Sequence, residues 1–499
     1  MRKAGSNGLP LEIRLPMQGL FLHACLALAF LFALPDGAWA QTVRLEDVTA
    51  AALGNSGQMR LEDEKVRRAE GQLQRAQGAF DWMATAEGGW ERLYVAEVRN
   101  GFLSNDLQEV DAWRTTLGIG RLFRNGITVQ PGVSFYANTD VSAAQTLGLT
   151  KTRPALNLTI PLFRGLGEDN LAASTERAAL AGVEASRLGR DYMAQRAMHD
   201  AAMLFWNCLA LSRHVRIAET DRQIGDEFVA TLRALVESGQ GEPVTLDRAL
   251  ANQAVQDVTL ARSRTADQLC RRDLALITDN GALAEPPSPA GEFPPMEGME
   301  AAIAALDERS LAEAALSRRE DVQALMRQAS AQGELLRGAR DNSQPRVELY
   351  VDPSRVLVRL SQSLGRGTQD GQLAEALAGE GETRIQLQQL EAHVRRDISA
   401  QLRGLKDAWV SWQALSRSAA LMEGVGADAR RRYETGVMTQ QEYRNVQGEL
   451  ALVQGQLIDA SLQYALSLGG LRLATGTIET EVGVQSAASA AVFRTLPEQ

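Results

Sequence analysis

The chain has 499 residues, with 62 acidic side chains against 52 Lys and Arg, a net charge of −10 and a pI near 5.2. That balance lacks the basic face a nucleic-acid partner requires. Aromatic residues make up only 5%, and Ala, Leu, Gln, Glu and Arg dominate, a composition of long helices rather than of one large globular core.

Residues 1–40 read as a secretory signal. Arg2, Lys3 and Arg14 form a basic leader, Leu20 to Leu34 an apolar run, and Ala38-Trp39-Ala40 an A-x-A cleavage signal before Gln41. The run falls short of the roughly 18 apolar residues of a spanning helix. Leu22-His23-Ala24-Cys25 has a faint lipobox pattern, but the sequence stays apolar past Cys25, which argues against lipidation. No later stretch can serve as a transmembrane helix, so a mature chain that crosses a bilayer does so as a closed β-barrel.

Residues 41–281 form a first repeat: a helix, a β segment over about 85–163, and a long helical hairpin. Expected strands are Gly88 to Val98, Trp113 to Phe123, Ile127 to Tyr136 and Arg153 to Leu162, with Arg124-Asn125-Gly126 as a hairpin turn. Helices follow from about Asp169 to Glu237 and from Pro243 to Ile277, joined by a turn over 238–243. At 1.5 Å per residue the longer reaches roughly 100 Å. Residues 282–310 are a connector, extended where Pro286, Pro287, Pro289, Pro294 and Pro295 crowd it.

Residues 311–478 repeat the plan with a shorter β hairpin over about 346–363, from strands Arg346 to Val351 and Arg355 to Ser363. Leu387, Leu390, Val394, Ile398, Leu402, Leu405, Trp409 and Trp412 form an apolar stripe before a turn at 435–439. After it, Tyr443, Val446, Leu450, Val453, Leu457, Ala460 and Tyr464 form a heptad seam. Such stripes on slender hairpins need other helices to bury them. The tail, 479–499, has no helical stripe and reads as surface-draped or disordered.

The duplication rests on matches in shared order. Ala69-Glu70-Gly71-Gln72-Leu73-Gln74-Arg75 returns as Ala331-Gln332-Gly333-Glu334-Leu335-Leu336-Arg337. Asn157 to Gly165 returns as Arg359 to Gly367, and Glu237-Ser238-Gly239 as Glu434-Thr435-Gly436. Each repeat closes on a Leu-rich helix ending in glycine, at Asn280-Gly281 and at Thr475-Gly476. The first β segment is the longer, because the offset between matches falls from 262 (331 minus 69) to 202 (359 minus 157) across it.

Catalytic and ligand chemistry leaves little trace. His199, His214 and His393 stand in helices without metal-ligand spacing, and no cofactor or metal is expected. Gly118-Ile119-Gly120 lies in a strand pattern and lacks a third glycine. Cys208 and Cys270 stand about 32 residues before and 30 after the turn at Gly239 to Gly241. On antiparallel helices they share a height, which leaves two readings open, a disulfide stapling the hairpin or two small buried thiols.

Tyr433-Glu434-Thr435-Gly436-Val437-Met438-Thr439-Gln440-Gln441-Glu442-Tyr443 resembles the Y-x-x-G-x-x-T-x-x-[DE] turn of the TolC-like outer membrane efflux protein family. Pro161-Leu162-Phe163-Arg164-Gly165 resembles its strand-to-helix junction. Arg318-Arg319-Glu320-Asp321-Val322 resembles the opening of its second half, with Glu in place of Pro. The resemblance covers essentially the whole mature sequence and implies a mainly α fold with a β-barrel portion. Long antiparallel helical hairpins in two homologous halves would form a homotrimeric tunnel in the periplasm, continued by a barrel in outer-membrane lipid. It implies a passive export conduit docked to a periplasmic adaptor and an inner-membrane pump, in efflux or type I secretion, and no enzyme.

By the same resemblance Tyr433 and Glu442 belong to a periplasmic entrance. Met438 stands where some members place a basic tether and Asn445 where they place a second acid, so a differently latched entrance is expected. Gly239, Gly241 and Asp247 belong to the equivalent turn of the first half, Gly241 and Asp247 having the six-residue separation of Gly436 and Glu442. The alternative reading is a periplasmic or surface coiled-coil scaffold without a pore, favoured by the short second β hairpin.

Overall fold

A computed structural model describes residues 42–54, 57–99, 102–138, 152–278, 286–353, 355–478 and 490–497. The leader, its cleavage signal and the glycine closure at Asn280-Gly281 lie outside the described residues. After strand β1 (Thr42–Val43) come helices α1 (Leu45–Gly54) and α2 (Gly57–Gln77). Four strands follow, β2 (Met83–Arg99), β3 (Phe102–Leu122), β4 (Thr128–Asn138) and β5 (Thr152–Pro161), and then the hairpin of α3 (Leu171–Glu237) and α4 (Pro243–Ile277). The rest comprises β6 (Ser288–Pro289), α5 (Glu300–Ala305), α6 (Glu308–Arg318), α7 (Glu320–Asn342), β7 (Arg346–Asp352), β8 (Arg355–Ser361), α8 (Gly367–Glu434) and α9 (Gln440–Thr475).

The helices α3 and α8 run 67 and 68 residues without a break. The main core is a belt around their middles, built on Met198, Phe205, Trp206, Leu274, Ile398, Leu402, Leu405, Tyr464, Leu468 and Leu471. Both apolar stripes read from the sequence face inward there, becoming half-buried toward the turns. Cys208 and Cys270 are bonded within this belt, with Cα atoms 5.5 Å apart, joining α3 to α4. Arg319 is a second tie. Its guanidinium holds the Asp321 carboxylate at 2.6 Å, donates to the Ala474 carbonyl at 3.2 Å and lies over the Tyr192 ring at 5.5 Å, joining α7, α9 and α3.

Three segments depart from the sequence reading. The Pro-rich connector is packed rather than merely extended: Ser288–Pro289 pairs in parallel with Thr42–Val43, and Phe293 and Met296 are buried in the core. Its end is helical, since α5 begins at Glu300 beyond the last proline. Residues 490–497 of the tail are docked rather than draped. Phe493 is fully buried against α9, and Arg472 donates to the Thr495 and Leu496 carbonyls at 3.0 and 2.6 Å. The strands β2 and β3 run longer than expected, 17 and 21 residues. Polar residues such as Glu109 and Asp111 hide the strand's extent, although they pair in register with Tyr94 and Arg92 of β2.

The six long strands form one antiparallel sheet in the order β2-β3-β4-β5-β7-β8, so the strands of both repeats join. The register divides them into two faces. One carries Trp90, Trp113, Leu117, Phe135, Val133, Leu156, Leu158, Leu349, Val351, Val356, Val358 and Leu360, with the mutually paired Arg92, Asp111 and Glu109 farther along β2 and β3; the other carries Glu87, Glu91, Arg114, Thr116, Ser134, Asn157, Thr159, Tyr350, Glu348 and Arg359. A period of two with one apolar face is the pattern of a lipid-facing strand. Gly118 of the G-x-G string sits in β3 opposite Gly132, where an added Cβ at Gly132 would meet the Leu117 carbonyl at 2.8 Å.

Candidate functional site

Both inter-helix turns lie at the end of the helices remote from the sheet, and they are built alike. A helix that must reverse at once needs a left-handed residue to release its last carbonyls. Gly239 has φ +74° and Gly436 φ +73°. The bonds around them correspond pair by pair. Gln240 and Gly241 both donate to the Leu235 carbonyl, at 2.9 Å each, while Val437 and Met438 both donate to the Arg432 carbonyl, at 2.8 and 3.2 Å.

This geometry agrees with the repeat match of Gly239 to Gly436 and sets aside the shared six-residue spacing of Gly241 and Asp247. Gly239, not Gly241, occupies the place of Gly436, and Gly241 occupies that of Met438. Three residues after each turn glycine stands the N-cap of the next helix, Glu242 and Thr439. Counting three further puts Thr245, not Asp247, in the position of Glu442. The two-residue slip arose because Gly241 also suits a turn; an added Cβ there would meet the Val236 nitrogen at 2.9 Å.

Glu442 points back into its own helix. Its carboxylate accepts from Thr439 N at 3.0 Å and Thr439 Oγ1 at 2.8 Å, and Thr439 Oγ1 accepts from Glu442 N at 3.3 Å, a reciprocal capping box. Those bonds hold its pKa below the usual carboxylate range, the backbone bond from Thr439 foremost. Tyr433 stacks flat on Tyr443, centroids 5.0 Å apart and planes 5° apart, across the two helices that the turn joins. Burial raises the Tyr443 phenol above its ordinary pKa. Asn445 is exposed and accepts from Gln441 at 2.9 Å, Met438 is half-buried, and Asp247 is exposed.

Further residues, beyond the sequence candidates, join the two hairpins. Gln440 Nε2 donates to Thr231 Oγ1 at 3.1 Å and to the Glu227 carbonyl at 3.4 Å on α3. The Arg444 guanidinium lies over the Phe228 ring at 5.6 Å, above a small cluster of Phe228, Val229 and Ala249. Farther up, His214 meets Asp459 at 2.9 Å, again linking α3 to α9. Their signal in the sequence was only a polar residue near an apolar seam, which names no partner.

The second tip is strongly charged. Arg430 pairs with Glu434 at 3.0 Å, and Arg432 and Arg431 reach Asp428 at 2.7 and 3.5 Å. Tyr433 and the Arg-rich turn therefore define the end face, while Glu442 is committed to capping.

At the opposite end the sheet is open. Strand β2 forms one edge and β8 the other. On β8 the apolar Val356, Val358 and Leu360 are 68, 63 and 70% exposed, so one chain leaves this face uncovered.

No protein-family model and no curated protein sequence matches the chain; the likeness found is one of structure. The fold superposes on the Campylobacter jejuni CmeC outer membrane channel with a TM-score of 0.61 at 14% identity, over 91% of this chain and 90% of that one. It superposes on the Vibrio cholerae outer membrane protein VceC with a TM-score of 0.60 at 16% identity, over 87% and 96%. The open-state Neisseria gonorrhoeae MtrE outer membrane channel gives 0.59 at 15% identity, over 87% and 89%. The chain thus has the fold of these outer membrane channels.

Proposed function

We propose that this protein is one subunit of a trimeric outer-membrane channel and acts as the passive conduit of a tripartite efflux or type I secretion system. The observation that carries this reading is the open six-stranded sheet, largely apolar on one face and polar on the other, mounted on helical hairpins about 100 Å long. Lipid leaves no backbone unpaired, so a sheet with an apolar face serves a membrane only when its edges are closed by neighbours. The half-buried seam of α9 near the turns has the same requirement on the helical side.

In this reading the apolar sheet face meets outer-membrane lipid, the polar face lines the pore, and the helices cross the periplasm. The tips around Gly239 and Gly436 form the entrance and dock the adaptor, with energy supplied by an inner-membrane pump. Tyr433 and Tyr443 brace the second tip. The short β7–β8 hairpin joins the first repeat's strands in one sheet, which supports the channel over a scaffold without a pore.

The test is fractionation of the natively expressed protein followed by reconstitution. Heat-modifiable trimers in the outer-membrane fraction that conduct in planar bilayers would support the channel. A soluble periplasmic monomer without conductance would end it.

A further inference from the structure

On β2 and β3 the apolar face of the sheet is bounded at each end by exposed aromatic rings, and an arginine stands at each boundary. Nearest the helices the rings are Trp82 and Phe123; farther along the same strands they are Trp90 and Trp113. Between these levels the same face carries Ala84, Ala86, Gly88, Thr115, Leu117 and Ile119, none of them charged. The levels are eight residues apart along β2 (90 minus 82) and ten along β3 (123 minus 113). At about 3.3 Å per residue and a tilt of about 40°, they stand roughly 20–25 Å apart, close to the height of the apolar band between the two aromatic girdles of an outer-membrane barrel.

The two arginines differ in what they hold. At the far level Arg92 lies over the Trp90 ring at 5.1 Å, and its charge is answered twice, by Asp111 at 2.9 Å and Glu109 at 3.6 Å. At the near level the Arg121 guanidinium lies over two rings, 5.6 Å from that of Trp82 and 5.3 Å from that of Phe123. Its Nε donates to the Phe80 carbonyl at 2.9 Å, and among the described residues no carboxylate pairs with it. That bond fixes the guanidinium and leaves both Nη groups to an acceptor from outside the chain.

We infer that Arg121 binds the phosphate of an anionic phospholipid in the membrane leaflet nearest the helices, with Trp82 and Phe123 flanking the headgroup. This rests on the outer-membrane channel proposed above. A guanidinium recognises phosphate through its fork of N–H donors. Aromatic rings at such a level sit where hydrocarbon meets water, and an arginine there keeps its charge among the headgroups while its stem lies against apolar surface. The acyl chains then run along the exposed Ile119 and Leu117. The far level favours no anion, since one arginine against two carboxylates leaves it net negative. The preference is therefore confined to one leaflet, the periplasmic one in the channel reading.

The test uses the full exported chain, purified from the outer membrane, stripped of lipid in detergent, and offered equal amounts of phosphatidylglycerol and phosphatidylcholine with matched acyl chains. Lipid retained per subunit is read by native mass spectrometry. One cation at a membrane surface changes headgroup preference about fivefold, so the parent should retain phosphatidylglycerol over phosphatidylcholine by about that factor. Arg121→Gln should bring the ratio close to one, and Arg121→Lys should keep most of the preference. Arg92→Gln, at the far level, should keep all of it.

Equal retention of the two lipids by the parent, or an undiminished preference in Arg121→Gln, would overturn the inference and leave the channel standing. Displacement of the lipid by excess inorganic phosphate would also overturn it, because the site would then be one for a free anion. The parent's own preference needs no variant, so a substitution that fails to assemble leaves the test intact. Recovery of the protein only as a soluble periplasmic chain would remove the channel reading and this inference together.

Discussion

Gln440 Nε2 donates to Thr231 Oγ1 at 3.1 Å, tying the first turn of α9 to α3 close to the tip. The two residues are 209 apart in sequence and come from different repeats, so their bond couples the two hairpins of one subunit. Replacing Gln440 by Ala removes it at a cost of about 1 kcal/mol, roughly fivefold in the equilibrium for local opening. Trypsin cleavage after Arg430, Arg431 and Arg432 should accelerate by a similar factor. An unchanged cleavage rate would show that the bond does not hold the tip.

The capping box makes the start of α9 sensitive to acid. The Glu442 pKa is depressed in the folded chain, so its contribution is present above the ordinary carboxylate range and is lost as pH falls through the folded value. Thr439→Ala removes the same box at a cost of about 1 kcal/mol. Amide exchange over residues 440–445 should rise in that variant at neutral pH, and in the parent protein only on acidification. Equal protection in both at pH 7 would contradict the capping role.

Glu320 behaves in the opposite sense. It begins α7 where burial, with Asp191 and Asp321 nearby, pushes its pKa up to about 7. A carboxyl raised above its unfolded value contributes stability below that unfolded value and loses it as pH rises toward 7. Melting temperature of the parent should therefore fall between about pH 4.5 and pH 7, and Glu320→Gln should flatten that part of the curve. A variant with the parent's slope would remove Glu320 as the titrating group.

Reduction should weaken the core belt. Loss of the Cys208–Cys270 bond, by a reductant or by paired Ser substitutions, removes a cross-link over 62 residues. The typical cost is about 2–4 kcal/mol. Thermal melts should show the parent destabilised by reductant and the double-Ser protein insensitive to it.

The docked tail offers a packing test. Phe493 is fully buried and lies close to Gly469 of α9, where an added Cβ would meet Phe493 Cδ1 at 3.7 Å. Phe493→Ala should cost about 3–5 kcal/mol, and truncation after Ser489 should do the same. A melt unchanged in both would mean that the tail only covers the core.

The long helices were legible because heptad spacing sustained over tens of residues fits little besides helices packed side by side. The turns were legible to within two residues, since Gly239 and Gly436 are needed for positive φ. Which glycine led the first turn was decided by carbonyl partners that spacing does not reveal. Non-local pairing was the least visible. Thr42–Val43 meets Ser288–Pro289 from 246 residues away (288 minus 42), and nothing in either dipeptide announces the other. The tail was misread because one phenylalanine anchors an otherwise Ala- and Ser-rich stretch. Glu442 was legible as a tip residue, yet its capping role competes with the latch suggested by resemblance, and geometry favours the cap.

The core belt takes Leu45 from one end of the described chain and Phe493 from the other, around helices from both repeats. In such a core the last described residues complete a structure begun by the first. Contacts of this sequence separation are slow to form, since the whole intervening chain must be ordered before they can be made. A chain lacking Phe493 would thus leave the middles of its longest helices unsealed. The fold of this chain is in that sense sealed last at Phe493, 448 residues beyond Leu45 (493 minus 45).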